Sequence, residues 1–193
     1  MLKGSEAPRT SAHVSFDPEA FIHPSAQIYG KVTVSAGASV WPNAVIRAEI
    51  HDVVIGPRSN VQDFVLIHVG NGSGTIIGAD CSITHHVTLH GCTLGDNVLV
   101  GIGATIMDGC VIGENSIIAG GSFLKEKTII PPNSIVAGAP ATVKATRDSG
   151  AANRFNAWLY CENASAYSRG EHRVWADIDL AEAAERFGLT RKA

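Results

Sequence analysis

His68, His85 and His90 are the residues whose spacing points to chemistry. His68 follows Ile67 and His90 follows Leu89, aliphatic residues in a register that recurs every sixth position, so both imidazoles take the second place of a six-residue unit. Their separation of 22 residues equals one coil of 18 plus a four-residue insertion, which stacks them on one corner of a coiled scaffold. Strands about 4.8 Å apart can bring two imidazoles to one ion at zinc–nitrogen distances of about 2.0–2.1 Å. His85 takes the third place of the preceding unit, on a different face from His90, so one chain does not close the triangle. A neighbouring subunit about a threefold axis would supply its own His85 and leave a fourth metal position for water. His13, His23, His51 and His172 read as packing or surface residues.

The scaffold that must carry this constellation shows in the aliphatic ladder. Ile22, Ile28, Val34, Val40 and Ile46 form a first block and Ile55, Val61 and Ile67 a second. The third runs Ile77, Ile83 and Leu89, loses one residue to Leu94, and continues Val100, Ile106, Ile112, Ile118, Leu124, Ile130 and Val136. A helix repeats its apolar face near 3.6 residues and a half-buried strand near 2, so a sustained period of six predicts a parallel β-helix with three hexapeptides per coil. A β-sandwich would show polar and apolar residues in strict alternation. Small residues after the aliphatic one (Gly56, Gly78, Gly95, Gly101, Gly113) suit sharp corners. Two insertions interrupt the ladder, one between Ile46 and Ile55 and one between Ile67 and Ile77, the second holding Gly70, Asn71, Gly72, Ser73 and Gly74. Loops on a rigid scaffold are where function concentrates.

After Pro140 the period ends. Phe155, Trp158, Leu159 and Tyr167 fall at spacings that fit one helical face between residues 151 and 167. A second helix is expected from Asp179, with Glu182 completing a capping box, to Gly188. Trp158 and Trp175 are expected to dock these helices on the β-helix. The organisation is therefore a flexible segment 1–16, a β-helix over 17–145 and a helical extension over 146–193 that packs on it.

Composition narrows the partners. With 193 residues, 45% hydrophobic and only 6% aromatic, the chain suits a narrow interior of small branched side chains. A net charge of -3 with no lysine or arginine cluster offers no field for nucleic acid or anionic lipid. Cys81, Cys92, Cys110 and Cys161 lack metal-finger spacing and read as reduced filler residues. Residues 1–16 show no signal-peptide apolar stretch and no run of about 18 apolar residues occurs, so a cytoplasmic location is expected.

Arg47-Ala48-Glu49, Ser59-Asn60-Val61-Gln62-Asp63, Ile67-His68-Val69, and His85 through Leu89-His90-Gly91-Cys92 together resemble the gamma-class carbonic anhydrases, over roughly residues 20–145. The resemblance implies a left-handed β-helix that assembles as a homotrimer. It implies that His68, His85 and His90 are the zinc ligands, that Arg47 and Asp63 form an intersubunit ion pair shaping the site, and that Gln62 orients the zinc-bound water. The implied reaction is reversible hydration of carbon dioxide to bicarbonate, with Zn²⁺ lowering the pKa of its water to about 7, a magnitude general to carbonic anhydrase zinc. Imidazole ligands suit Fe²⁺ or Co²⁺ as well.

This chain also departs from the family pattern. Arg47-Ala48-Glu49 stands where Arg-Gly-Asp is common, so the longer Glu49 can alter the ion pair. Thr84 and His86 flank the middle histidine where glycine is common, leaving His86 open as an extra ligand, a proton relay or an exposed imidazole. The insertion at residues 70–74 holds no carboxylate, unlike the acidic loop linked to proton export. Two other readings share the scaffold: a coenzyme A-dependent acyltransferase whose histidine deprotonates the acceptor, and a non-catalytic trimer stapled by metal.

Overall fold

The computed structural model describes residues 12–189. They form a parallel β-helix whose three faces each carry one column of ladder residues. Ile28, Ile46, Ile67, Leu89, Ile106 and Leu124 stack in register on the first face. Val34, Ile55, Ile77, Leu94, Ile112 and Ile130 do so on the second. The third carries Ile22, Val40, Val61, Ile83, Val100, Ile118 and Val136. Every ladder residue except the partly buried Ile22 is 4% exposed or less, so the expected period of six is the core itself. Each such side chain contributes roughly 1.5–3 kcal/mol relative to exposure.

Most strands are two or three residues long, because each face is one hexapeptide wide. Gln27–Val34 and Val45–Ile55 instead run through a corner and join the first two faces into one hydrogen-bonded sheet. Corner residues repeatedly take left-handed backbone, Asn97, Asn115 and Asn133 at one corner and Asn43, Phe64 and His86 at another. The glycines after the ladder residues serve a different purpose from the expected one. Gly56, Gly78, Gly95 and Gly113 lack positive φ; a Cβ on any of them would press into the backbone of the next coil. Close coil-to-coil approach, rather than turn geometry, is what demands glycine there.

One boundary differs from expectation. Ser15–Phe16 already pairs with Thr33–Val34, so the β-helix starts inside the segment expected to be flexible, whose residues 1–11 lie outside the described residues. At the far end Ala141–Thr146 folds back antiparallel on Ser134–Gly138 and covers the last parallel strand of the third face.

The first helix, α1 (Gly150–Ser168), crosses the third face over strands Phe21–Ile22, Ser39–Val40, Asn60–Val61 and Ser82–Ile83. Asn153 at its start donates to the Asn97 and Ser116 carbonyls, at 2.9 and 3.2 Å. Further along, Tyr160 and Tyr167 meet the Trp41 ring edge-on. Two short helices follow, α2 (Val174–Asp177) and α3 (Leu180–Arg186). The Asp179 side chain caps α3 as expected, accepting from the Ala181 and Glu182 N–H groups. The tryptophans hold the helices to one another: Trp158 packs against Phe155 and Phe187, and Trp175 donates to the Leu159 carbonyl. Docking on the β-helix runs through Asn153 and the tyrosines on Trp41, while Trp158 lies beside Gly37, Arg58 and Asp80 of the β-helix.

Candidate metal centre

His68 and His90 are direct register partners at the end of the first face. Their ladder neighbours Ile67 and Leu89 point inward, so strand alternation turns both imidazoles outward at the corner. The rings lie 5.0 Å apart between centroids, with His68 Nδ1 and His90 Nε2 facing each other at 3.1 Å. Two nitrogens bound to one tetrahedral zinc at about 2.0–2.1 Å stand about 3.3–3.4 Å apart. The pair is therefore within a few tenths of an ångström of ligand geometry.

The nitrogens turned away from this gap both meet carboxylates. Glu49 Oε2 accepts from His68 Nε2 at 3.1 Å, and Asp108 Oδ1 accepts from His90 Nδ1 at 2.9 Å. Glu49 also accepts from Arg47, at 2.7 Å. Burial pulls the Glu49 carboxyl up, but its own backbone N–H, Arg47 and His68 outweigh that and hold it below the usual glutamate range. Glu49, His68, His90 and Asp108 form one line across successive coils.

His85 lies on the corner between the third and first faces, in the coil position of Asp63, which accepts from its Nδ1 at 3.0 Å. Within one chain Asp63 thus faces His85 while Arg47 pairs with Glu49. Among the described residues no three histidine, cysteine or carboxylate side chains converge to hold an ion.

Gln62, on the same corner as His85, is 2% exposed and is no solvated turn residue. Its amide donates to Asn60 Oδ1 at 2.9 Å, and Asn60 donates to Ser82 Oγ at 3.0 Å. His86 stacks on Phe64 with centroids 5.1 Å apart and planes within 3°. Both are bulky residues in left-handed backbone, at positions where other coils place Asn43, Gly103 or Gly121. Tyr160 reaches this corner from α1; burial, with Asp63 and Tyr167 adding, pushes its phenol up to about 12.

Sequence reasoning missed Asp108 and Tyr160 and gave Glu49 no histidine partner. The signal for Asp108 was hidden by the residue missing between Leu89 and Leu94: Leu89 pairs with Ile106 after 17 residues, so Asp108, 18 after His90, falls one place beyond the regular partner. None existed for Tyr160, whose place depends on how α1 docks.

The fold and this corner define a class, the hexapeptide-repeat β-helix proteins. A bacterial transferase hexapeptide family profile of six repeats matches residues 91–126. A hexapeptide transferase family protein from Anaplasma phagocytophilum is 35% identical with a TM-score of 0.72, over 81% of this chain and 92% of that one. Gamma carbonic anhydrase 1, mitochondrial, of Arabidopsis thaliana is 43% identical over 98 residues, 48% of this chain and 36% of that protein. A probable carbonic anhydrase of Methanocaldococcus jannaschii is 49% identical over 81 residues, 42% of this chain and 51% of that protein. The matched stretch thus spans about half or less of these two curated relatives. The chain belongs to the hexapeptide-repeat family of the Anaplasma relative, and somewhat less than half of it is similar to the gamma carbonic anhydrases.

Proposed function

We propose that the protein is a metal-dependent carbon dioxide hydratase, working as a homotrimer in which His68 and His90 of one subunit and His85 of the next hold a single ion. One observation carries the reading: each histidine has one ring nitrogen engaged by a carboxylate, Glu49, Asp63 or Asp108. A neutral imidazole owns one N–H. Donated to the carboxylate, it leaves the other nitrogen as a bare lone pair, which is how metal-ligating histidines are commonly oriented. In the His68–His90 pair two such lone pairs would face each other at 3.1 Å, an apposition that repels unless a cation lies between them.

The donor set fits Zn²⁺, with Fe²⁺ or Co²⁺ as alternatives, because three imidazoles and an open position serve all three. A bound zinc ion would supply an acidified water, with a pKa of about 7 in carbonic anhydrases generally. The protein's own residues do the positioning. Asn60 fixes the Gln62 amide group, so the carboxamide oxygen is left to accept from the reacting hydroxyl and set its approach to carbon dioxide. Arg47 and Asp63, each 33–46% exposed in the isolated chain, remain available to pair across the subunit boundary. The four free thiols fit a reducing compartment such as the cytoplasm.

The test is complementation. His85→Ala and His90→Ala should each abolish metal binding and hydration, while mixed trimers regain about a quarter of complete sites, because ligands come from two chains. No recovery on mixing, with mixed trimers verified by mass, would refute the shared site. The family profile and the Anaplasma relative's name favour an acyltransferase as the second reading. Coenzyme A binding without metal uptake would establish it instead.

A further inference from the structure

Asp108 lies outside the three-histidine set, yet it is the most thoroughly housed carboxylate at this corner. Its Oδ1 meets His90 Nδ1 at 2.9 Å. The same oxygen occupies space that a Cβ on Gly70 or on Gly91 would overlap. Gly91 additionally has φ +55°, so two separate constraints keep that position free of a side chain.

The inserted loop builds this cradle. Gly70 N–H donates to the Ser73 carbonyl at 2.9 Å and Ser73 Oγ to the Gly91 carbonyl at 2.8 Å. Gly91 N–H and Thr75 Oγ1 both donate to the His68 carbonyl, at 3.1 and 2.7 Å. From the next coil Gly109 N–H donates to the Gly91 carbonyl at 2.8 Å. The loop is thereby tied to both histidine-bearing strands and to the coil that delivers Asp108. A carboxylate so placed does what a mobile surface aspartate would not: it accepts only from an N–H, so it selects the tautomer of His90 protonated at Nδ1.

We infer that Asp108, seated between Gly70 and Gly91, is a positioning residue that fixes the ring and tautomer of His90 so that Nε2 is presented towards His68. The inference rests on the reading of His90 as a metal ligand. It also gives the glycine-bearing insertion at 70–74 a purpose that needs no carboxylate of its own.

Two readouts test it on the full-length protein. In the metal-free state, ¹⁵N shifts of the His90 ring should report the Nδ1-protonated tautomer in the wild type and a mixture in Asp108→Ala. Cobalt titration followed by visible absorption should then show affinity about 10–100-fold weaker in Asp108→Ala, the range expected for the partner of a ligating histidine. Asp108→Asn, which keeps an acceptor, should restore part of the loss. Gly70→Ala should reproduce it with the carboxylate still present. Unchanged tautomer and unchanged cobalt affinity in Asp108→Ala would overturn the inference. If the wild type takes up no cobalt, the metal reading fails by itself, and the tautomer populations still decide whether Asp108 orients His90.

Discussion

Stability and metal binding should separate cleanly in this molecule, and Ile106→Ala against His90→Ala is the comparison that shows it. Ile106 is fully buried between Leu89 and Leu124 in the first-face column. Removing its outer carbons costs about 2–5 kcal/mol depending on how far the site collapses. Collapse is limited here, because the adjoining backbone is fastened above and below: Thr88 N–H to the Ala104 carbonyl at 2.9 Å, and Thr105 N–H to the Ser122 carbonyl at 2.8 Å. The upper half of that range, about 3–5 kcal/mol, is expected. His90 keeps its side chain 31% exposed and its Asp108 partner 35% exposed, so solvent screens the pair and its loss costs less than about 1 kcal/mol. Urea unfolding at fixed protein concentration with chelator present should therefore shift the Ile106→Ala midpoint far more than that of His90→Ala, at equal m. Zinc at about 100 times its dissociation constant should then add about 2.7 kcal/mol to the wild type and to Ile106→Ala, and nothing to His90→Ala. Equal destabilisation of the two variants in chelator would refute the separation of ladder and site.

Gln62→Ala should retain metal and lose hydration rate, with about 1–2 kcal/mol of stability lost, because Asn60 Oδ1 is left buried without its donor; metal analysis, stopped flow and urea unfolding check each part. Asp63→Ala should weaken both the trimer and metal affinity, the latter about 10–100-fold, as sedimentation and metal titration would report. In native protein at neutral pH, Cys161, its thiol pushed up to about 11 by burial, should react with maleimide before the more deeply buried Cys81, pushed up to about 12 by the same cause. Mass mapping after short exposure checks that order.

The ladder was legible because one chemical requirement, an aliphatic side chain at every inward position, repeats at a fixed interval and little else meets it. The α3 cap was legible for a similar reason, since Asp179 satisfies N–H groups only two and three residues away. Contacts made between coils were harder to read. Glu49 reaches His68 across 19 residues that include an insertion, and its pairing depends on how that insertion bends. The pairing of Ser15–Phe16 with Thr33–Val34 was missed although Phe16 stands six residues before Ile22, because an aromatic residue does not match the aliphatic pattern that marks the ladder. Aromatic composition could not say which rings meet the β-helix: Trp41, hidden inside the ladder at a second position, is the docking surface, while Trp158 and Trp175 bind the helices together.

The ladder also says where such a site can arise. From the third face to the first, and from the second to the third, every step between ladder residues is six throughout. All the irregular steps fall between the first face and the second: nine residues from Ile46 to Ile55, ten from Ile67 to Ile77, five from Leu89 to Leu94. Glu49, His68, His90 and Asp108 all stand on that one corner. The two regular corners keep one length at every coil. At the irregular corner the hydrogen bonds of Gly70, Ser73 and Gly91 absorb the change, and both adjoining columns stay in register. Polar side chains of different reach can then be set in line without disturbing the core. His85 occupies a regular corner, where Asp63 is held in strict coil register one rung away. A site assembled from both corners therefore combines one edge whose shape is adjustable with one whose position the ladder fixes, and in the proposed trimer a neighbouring subunit would bring the two edges together.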